Sequence, residues 1–168
     1  MTEPGPIADT NERISFDSRE RAHELALALV KQAKKEICFF GASIDPVLFD
    51  SVEMVDVLSE FARRHQQTRI RFVVHSTLKN IADSHRLIQL AQRLSSSFYI
   101  RISSDQDKNR QQMFLLSDMN GYLYCNHSDS YNGHASLNAP AEVKSLQRNF
   151  DSYWAGSLPD VHTRRLHL

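Results

Sequence analysis

The chain has 168 residues, enough for one domain with a sizeable core. Its 41% hydrophobic and 24% charged content is that of an ordinary folded protein, and twenty Lys and Arg against twenty Asp and Glu remove any argument for bulk attraction to nucleic acid, leaving only local basic patches. No apolar run approaches the roughly 18 residues a membrane span needs, and no basic-then-apolar leader opens the chain, so the expectation is a cytoplasmic protein with no membrane partner.

Met1 to Arg13 carries two prolines and a glycine and reads as a flexible lead-in or linker, residues 1–13. Ile14 to Phe16 fits a short edge strand. Asp17 is placed to cap a helix, with Glu20 three residues on, and Ala22, Leu25, Ala26, Leu29 and Ala33 follow at helical spacing. Lys34 and Lys35 close that helix with cations suited to its C-terminal dipole. Glu36 to Gly41 is continuously apolar in its interior, as in a strand buried on both faces. Asp45-Pro46 breaks the chain. Val55, Leu58, Phe61 and Ala62 mark a second helix ending at Arg63-Arg64-His65, and Ile70 to Val74 a second core strand.

Ile81, Ile88, Ala91 and Leu94 predict a third helix, Phe98 to Ile102 a third, alternating strand, and Ser103 to Arg110 a polar loop. Met113–Leu116 and Tyr122–Cys125 form a hairpin. Asn126 to Asn138, rich in Asn, Ser, Asp and Gly, reads as a long loop. Pro140 suits the first turn of a last helix whose inner face is Val143, Leu146, Phe150, Tyr153 and Trp154. The same spacing leaves a second use for Tyr153 and Trp154, an exposed docking pair. Alternating helices and strands predict an α/β fold with a mostly parallel sheet flanked by helices. Residues 14–158 form a single domain in this reading, and 159–168 a C-terminal tail. Cys38 and Cys125 sit in apolar strand-like runs without metal spacing and read as buried free thiols.

The segment Arg110 to Tyr124, an apolar strand running into Asp118 and a turn at Gly121, resembles the strand of phospholipase D-like enzymes that carries His-x-Lys, four residues, then Asp. The helix leading into Ala33-Lys34-Lys35-Glu36-Ile37, the strand Arg69 to Val74 and the closing Phe150-Asp151-Ser152-Tyr153-Trp154 resemble other parts of such a domain. The resemblance runs from about Phe16 to Ser157 and implies a phospholipase D-like half. His85-Arg86-Leu87 and the ending Arg165 to Leu168 also make the chain similar to an uncharacterised bacterial phospholipase D-like domain found downstream of an acetyltransferase. That likeness implies a fused or associated acetyltransferase as protein partner, and no known reaction.

Counting back from Asp118, the His position of the motif is Gln111 and the Lys position is Met113. Gln has no titratable proton and is a poor nucleophile, and Met carries no charge for a phosphate. None of the eight histidines has Lys two residues later, and Asn126–Asn138 holds no Gly-Ser-x-Asn. The catalytic residues are therefore expected to be absent, and no cofactor is implied. One-motif members of the family complete their site by dimerising, which keeps a homodimer among the expected partners. The expected function is a catalytically inactive interaction or regulatory module. The alternatives are a nucleic-acid-binding domain reusing the phosphate-binding cleft and a residual phosphodiesterase.

Ligands of open parallel sheets bind at the C-terminal strand ends. Asp45, His75, His85, Arg86 and Asp118 form the candidate ligand site on that basis. Each also has a structural use: Asp45 before Pro46 makes a turn, His75-Ser76-Thr77 caps a helix, Arg86 is solvated, and Asp118 shapes the hairpin turn by accepting backbone N–H groups. His127, Asp129 and His134 share one loop, but their spacing fits no metal motif, so no metal is assigned. Arg63, Arg64, Arg69 and Arg71, with Lys34 and Lys35 nearby, are the densest basic cluster and suit either phosphates or solvent. Arg71 and Arg101 lie on the polar register of their strands, and under a covering helix they need partners.

Overall fold

The computed structural model describes residues 11–64 and 67–164. The elements are β1 (Ile14–Phe16), α1 (Arg19–Gln32), β2 (Glu36–Gly41), α2 (Pro46–Phe49), α3 (Val52–Arg64), β3 (Arg69–Val74), α4 (Leu78–Ala82), α5 (Arg86–Arg93), β4 (Phe98–Ile102), β5 (Met113–Ser117), β6 (Gly121–Cys125), β7 (Gly133–Ser136), α6 (Pro140–Gly156) and β8 (Leu158–Pro159). Residues 1–10 of the expected lead-in, His65 and Gln66, and the Arg165 to Leu168 ending of the expected tail lie outside the described range.

One sheet of eight strands runs in the order β1-β7-β6-β5-β2-β3-β4-β8. Only β2–β3 and β3–β4 pair in parallel, and the five remaining pairs are antiparallel. The sheet is α/β as expected but mostly antiparallel, which corrects the expectation of a mostly parallel one. The helix-strand alternation holds through β4. After it the chain crosses to the free side of β2 and adds β5, β6, β7 in a meander, where short connections permit only antiparallel neighbours.

Two apolar layers enclose the sheet. Phe39, Phe49 and Phe72 centre the larger one beneath α1, α3 and α5, with ring centroids 4.9–5.0 Å apart. Cys38, Phe40, Val73, Phe114, Leu116 and Tyr122 meet Val143, Phe150 and Tyr153 of α6 in the smaller one. β2 and β5 are thus buried on both faces, which is why they are continuously apolar apart from Glu36 at the start of β2 and Ser117 at the end of β5. Cys38 and Cys125 are buried and unpaired, as expected.

Several local expectations need correction. Ser18, not Asp17, caps α1, its hydroxyl accepting the Arg21 N–H at 3.1 Å. α1 ends at Gln32, so the Lys34-Lys35 pair lies beyond it. The third helix is two helices, α4 and α5, broken at Ser84 with φ +54°, a left-handed conformation that helical periodicity does not reveal. Asp45-Pro46 opens the short helix α2. β7 lies inside the expected 126–138 loop. Gly133 starts it because its backbone packs against Tyr124 so closely that any Cβ would collide with the Tyr124 carbonyl. The segment expected as a tail begins inside the fold: β8 pairs with Arg101 and Ile102, and Asp160 accepts the buried hydroxyls of Thr77 and Thr163 at 2.6 and 2.9 Å.

Candidate functional site

The C-terminal ends of β2, β3 and β4 and the start of β5 converge on one face of the sheet. His75, just past β3, stacks edge-on against Phe40 and sits between Ser103 and Arg110. The Arg110 carbonyl, 2.8 Å from Nε2, can only accept, so Nε2 carries the proton. In the neutral ring Nδ1 then accepts from the Ser103 hydroxyl, 2.6 Å away. Arg110 is held in turn by Asp107 at 3.0 Å and lies over the Tyr153 ring. Ser128, in the turn after β6, donates its N–H to the Gln111 carbonyl at 2.9 Å, and its Oγ accepts the Ala42 N–H at 3.2 Å.

At this face stand the two motif positions. Gln111 is exposed, on the loop entering β5. Met113 is fully buried in the larger layer. Backbone groups of Ala42, Arg110 and Gln111 are engaged by side chains or backbone of the chain itself.

Of the five candidate ligand residues, the structure brings Asp45, His85 and Arg86 together around α2, with His85 beside the Asp45 backbone and the Arg86–Asp50 pair, while His75 stands at the strand-end face and Asp118 lies apart. Asp45 is buried; its carboxylate accepts the Leu48 N–H at 3.0 Å and the Tyr131 hydroxyl at 3.0 Å. Burial pushes its carboxyl above the usual range against these bonds. His85 caps α5, Nδ1 accepting the Leu87 N–H at 3.1 Å, and its desolvation lowers its pKa. Arg86 pairs with Asp50 at 3.0 Å, where its N–H and guanidinium hold the Asp50 carboxyl low in spite of partial burial. Asn80, which no sequence pattern marks, is buried and spans the Ile44 N–H and C=O at 3.0 and 2.8 Å.

Asp118 lies at the other end of the sheet. Its carboxylate accepts the N–H groups of Lys34, Lys35 and Glu36 at 3.0, 2.9 and 2.9 Å. It therefore clamps the hairpin to the α1–β2 connection; the hairpin turn itself is closed by Asn120 N–H to the Ser117 carbonyl. This corrects the expectation that its bonds shape its own turn. Since β2 has six residues, about 17 Å of strand separates Asp118 from the His75 face.

The basic cluster gathers around Asp118. Arg69 and Arg71 reach the two oxygens of Glu36 at 2.6 Å each, and with the Cys38 thiol they hold the Glu36 carboxyl below its ordinary value against the cost of its burial. Burial pushes the Cys38 thiol well up. Arg71 also lies 5.0 Å from the Trp154 ring, and Arg101 4.8 Å. Arg101 finds its partners in the Ser157 hydroxyl and carbonyl at 2.8 and 2.6 Å. His134 belongs to β7 and bonds Tyr122 at 2.7 Å, and no group of three or more potential metal ligands occurs among the described residues.

This fold is shared with phospholipase D-like proteins of known structure. Nuc, a phospholipase D family member from Salmonella typhimurium, superposes with a TM-score of 0.63 at 15% identity, over 89% of this chain and 97% of that one. NucT from Helicobacter pylori gives 0.62 at 8% identity, over 89% and 99%. TrmBL2, an archaeal chromatin protein with a novel mode of DNA binding, gives 0.64 at 12% identity over 89% of this chain, which spans about half, 54%, of TrmBL2. No curated protein matches the sequence. Residues 18–166 match the model of a domain of unknown function, DUF7931, and the chain belongs to that family.

Proposed function

We propose that this chain is a catalytically inactive phospholipase D-like domain that acts by binding, as an interaction or regulatory module. The observation that supports this is the pair Gln111 and Met113. The first offers no nucleophile, and the second is fully buried, where a lysine would be an uncompensated charge. An acetyltransferase domain on the same polypeptide or in the same complex is the partner, in the cytoplasm.

Pure protein incubated with bis(p-nitrophenyl) phosphate, short DNA and phosphatidylcholine should show background hydrolysis only. Turnover that survives repurification and disappears on a single substitution at the strand-end face refutes this and establishes the residual phosphodiesterase. Restoring Gln111→His with Met113→Lys should produce no activity, because a second motif is absent and the lysine would lie in the core. A second reading, nucleic-acid binding, has the likeness to TrmBL2 in its favour. It is distinguished by a shift assay at several salt concentrations, since phosphate contacts weaken steeply with salt.

A further inference from the structure

We propose that a basic groove at the N-terminal ends of β2 and β3, across the sheet from the motif positions, binds the phosphate backbone of a nucleic acid without reading its sequence. The inference deepens the nucleic-acid-binding reading above and does not depend on the absence of cleavage.

Two open clefts, about 670 and 650 Å³, meet at Asp118. Lys35, Arg69 and Arg71 line the first, and Lys31, Lys34 and Arg64 the second, so six cations follow one continuous path. Five carboxylates share this end, and each already has a partner. Glu36 gives one oxygen to Arg69 and the other to Arg71. Asp118 keeps its charge at the junction of the clefts, with both oxygens turned to three backbone N–H groups. Asp151 lies 3.6 Å from Arg71, Glu53 3.5 Å from Lys31, and Glu60 pairs with Arg64.

Lys34 and Lys35 are exposed and make no ion pair among the described residues. The Lys31 and Arg64 pairs are more than half exposed, and such pairs exchange partners at little cost. Phosphates can therefore recruit these cations as well. The asparagine and glutamine side chains along the path, Gln67, Asn120, Asn138 and Gln147, suit sugar and phosphate oxygens.

Two features limit the site. The C-terminal ends of α1 and α3 point here and place carbonyl dipoles toward an anion. Among the described residues no aromatic side chain lines either cleft, so bases find no stacking platform there, and the exposed Met119 offers an apolar contact. Binding is therefore electrostatic, weak and indifferent to sequence.

The test is fluorescence anisotropy with labelled 20-mers, single-stranded and duplex, of two unrelated sequences, from 25 to 200 mM salt. If about three phosphates are neutralised, affinity should fall about 40-fold between 50 and 200 mM, equally for both sequences. Lys34→Glu with Lys35→Glu should weaken binding at 50 mM at least tenfold and flatten the salt slope by about two, with an unchanged urea midpoint. If that pair disturbs folding, the neutral Lys34→Gln with Lys35→Gln should still flatten the slope. Gln111→Glu, at the far end, should leave binding unaltered. Absence of binding at 25 mM, equal weakening by Gln111→Glu, or competition by poly-glutamate as strong as by unlabelled oligonucleotide would each overturn the proposal. Cleavage of the probe on a denaturing gel would instead refute the inactive reading and leave the groove standing.

Discussion

Asp118→Ala tests whether the hairpin is held to the rest of the sheet by one carboxylate. The variant removes three N–H···O bonds of 2.9–3.0 Å to Lys34, Lys35 and Glu36. The Lys34 and Lys35 groups are exposed and regain water, at about 0.5 kcal/mol each, while the half-buried Glu36 N–H loses a charge-assisted bond worth about 1.5 kcal/mol. Asp118 also holds φ at +53°, which aspartate tolerates and alanine resists, adding about 0.5–1 kcal/mol. The sum is about 3 kcal/mol, a large part of a domain's net stability. Urea titration at constant m-value measures it. Asp118→Gly loses the same bonds but not the backbone preference, so it should be less damaging than alanine. Asp118→Asn keeps one carbonyl oxygen for Lys35 and Glu36 and should cost about 1 kcal/mol. An alanine variant within 0.5 kcal/mol of the parent, or a glycine variant worse than alanine, would show that the clamp does not carry the contact.

Phe150→Ala should cost about 3–5 kcal/mol, because the ring is fully buried under α6, whereas Trp154→Ala, half-buried over Arg71 and Arg101, should cost about 2 kcal/mol. The single tryptophan should emit between the buried and water-exposed limits and shift red in urea; native emission at the exposed limit would show α6 undocked. His85, buried and favoured neutral by desolvation, binds its proton more readily in the unfolded chain, so the folded state loses stability as pH falls below about 6.5. His85→Asn, which can still cap α5, should flatten the pH 5–7 dependence of the urea midpoint; an unchanged slope would assign it to other groups. Met113→Lys alone should destabilise by about 3 kcal/mol or more by placing a charge in the core, visible as a lowered Tm.

Much of this molecule was legible in the chain. The apolar runs of β2, β3, β4, β5 and β6 name strands because burial on one or both faces dictates their composition, and the 3- and 4-residue spacing of Val143, Leu146, Phe150 and Tyr153 names the face α6 buries. That Gln111 and Met113 stand where the phospholipase D-like resemblance expects His and Lys is also read from the sequence alone. Tertiary structure alone decided the rest. β7 hides in a stretch of Asn, Ser and Gly because a strand of four residues is held by backbone pairing with β6 and β1, which leaves no apolar signature. The antiparallel majority follows from β5 docking on β2, a choice between partners far apart in sequence. Asp118 reads as a turn residue until the fold brings Lys34, 84 positions away, against its carboxylate. The same juxtaposition turns scattered lysines and arginines of α1, the α1–β2 connection, α3 and β3 into one basic path. Local patterns record what each segment must bury; which segments meet is set by the non-local pairing of backbone and charge, and only the folded chain contains it.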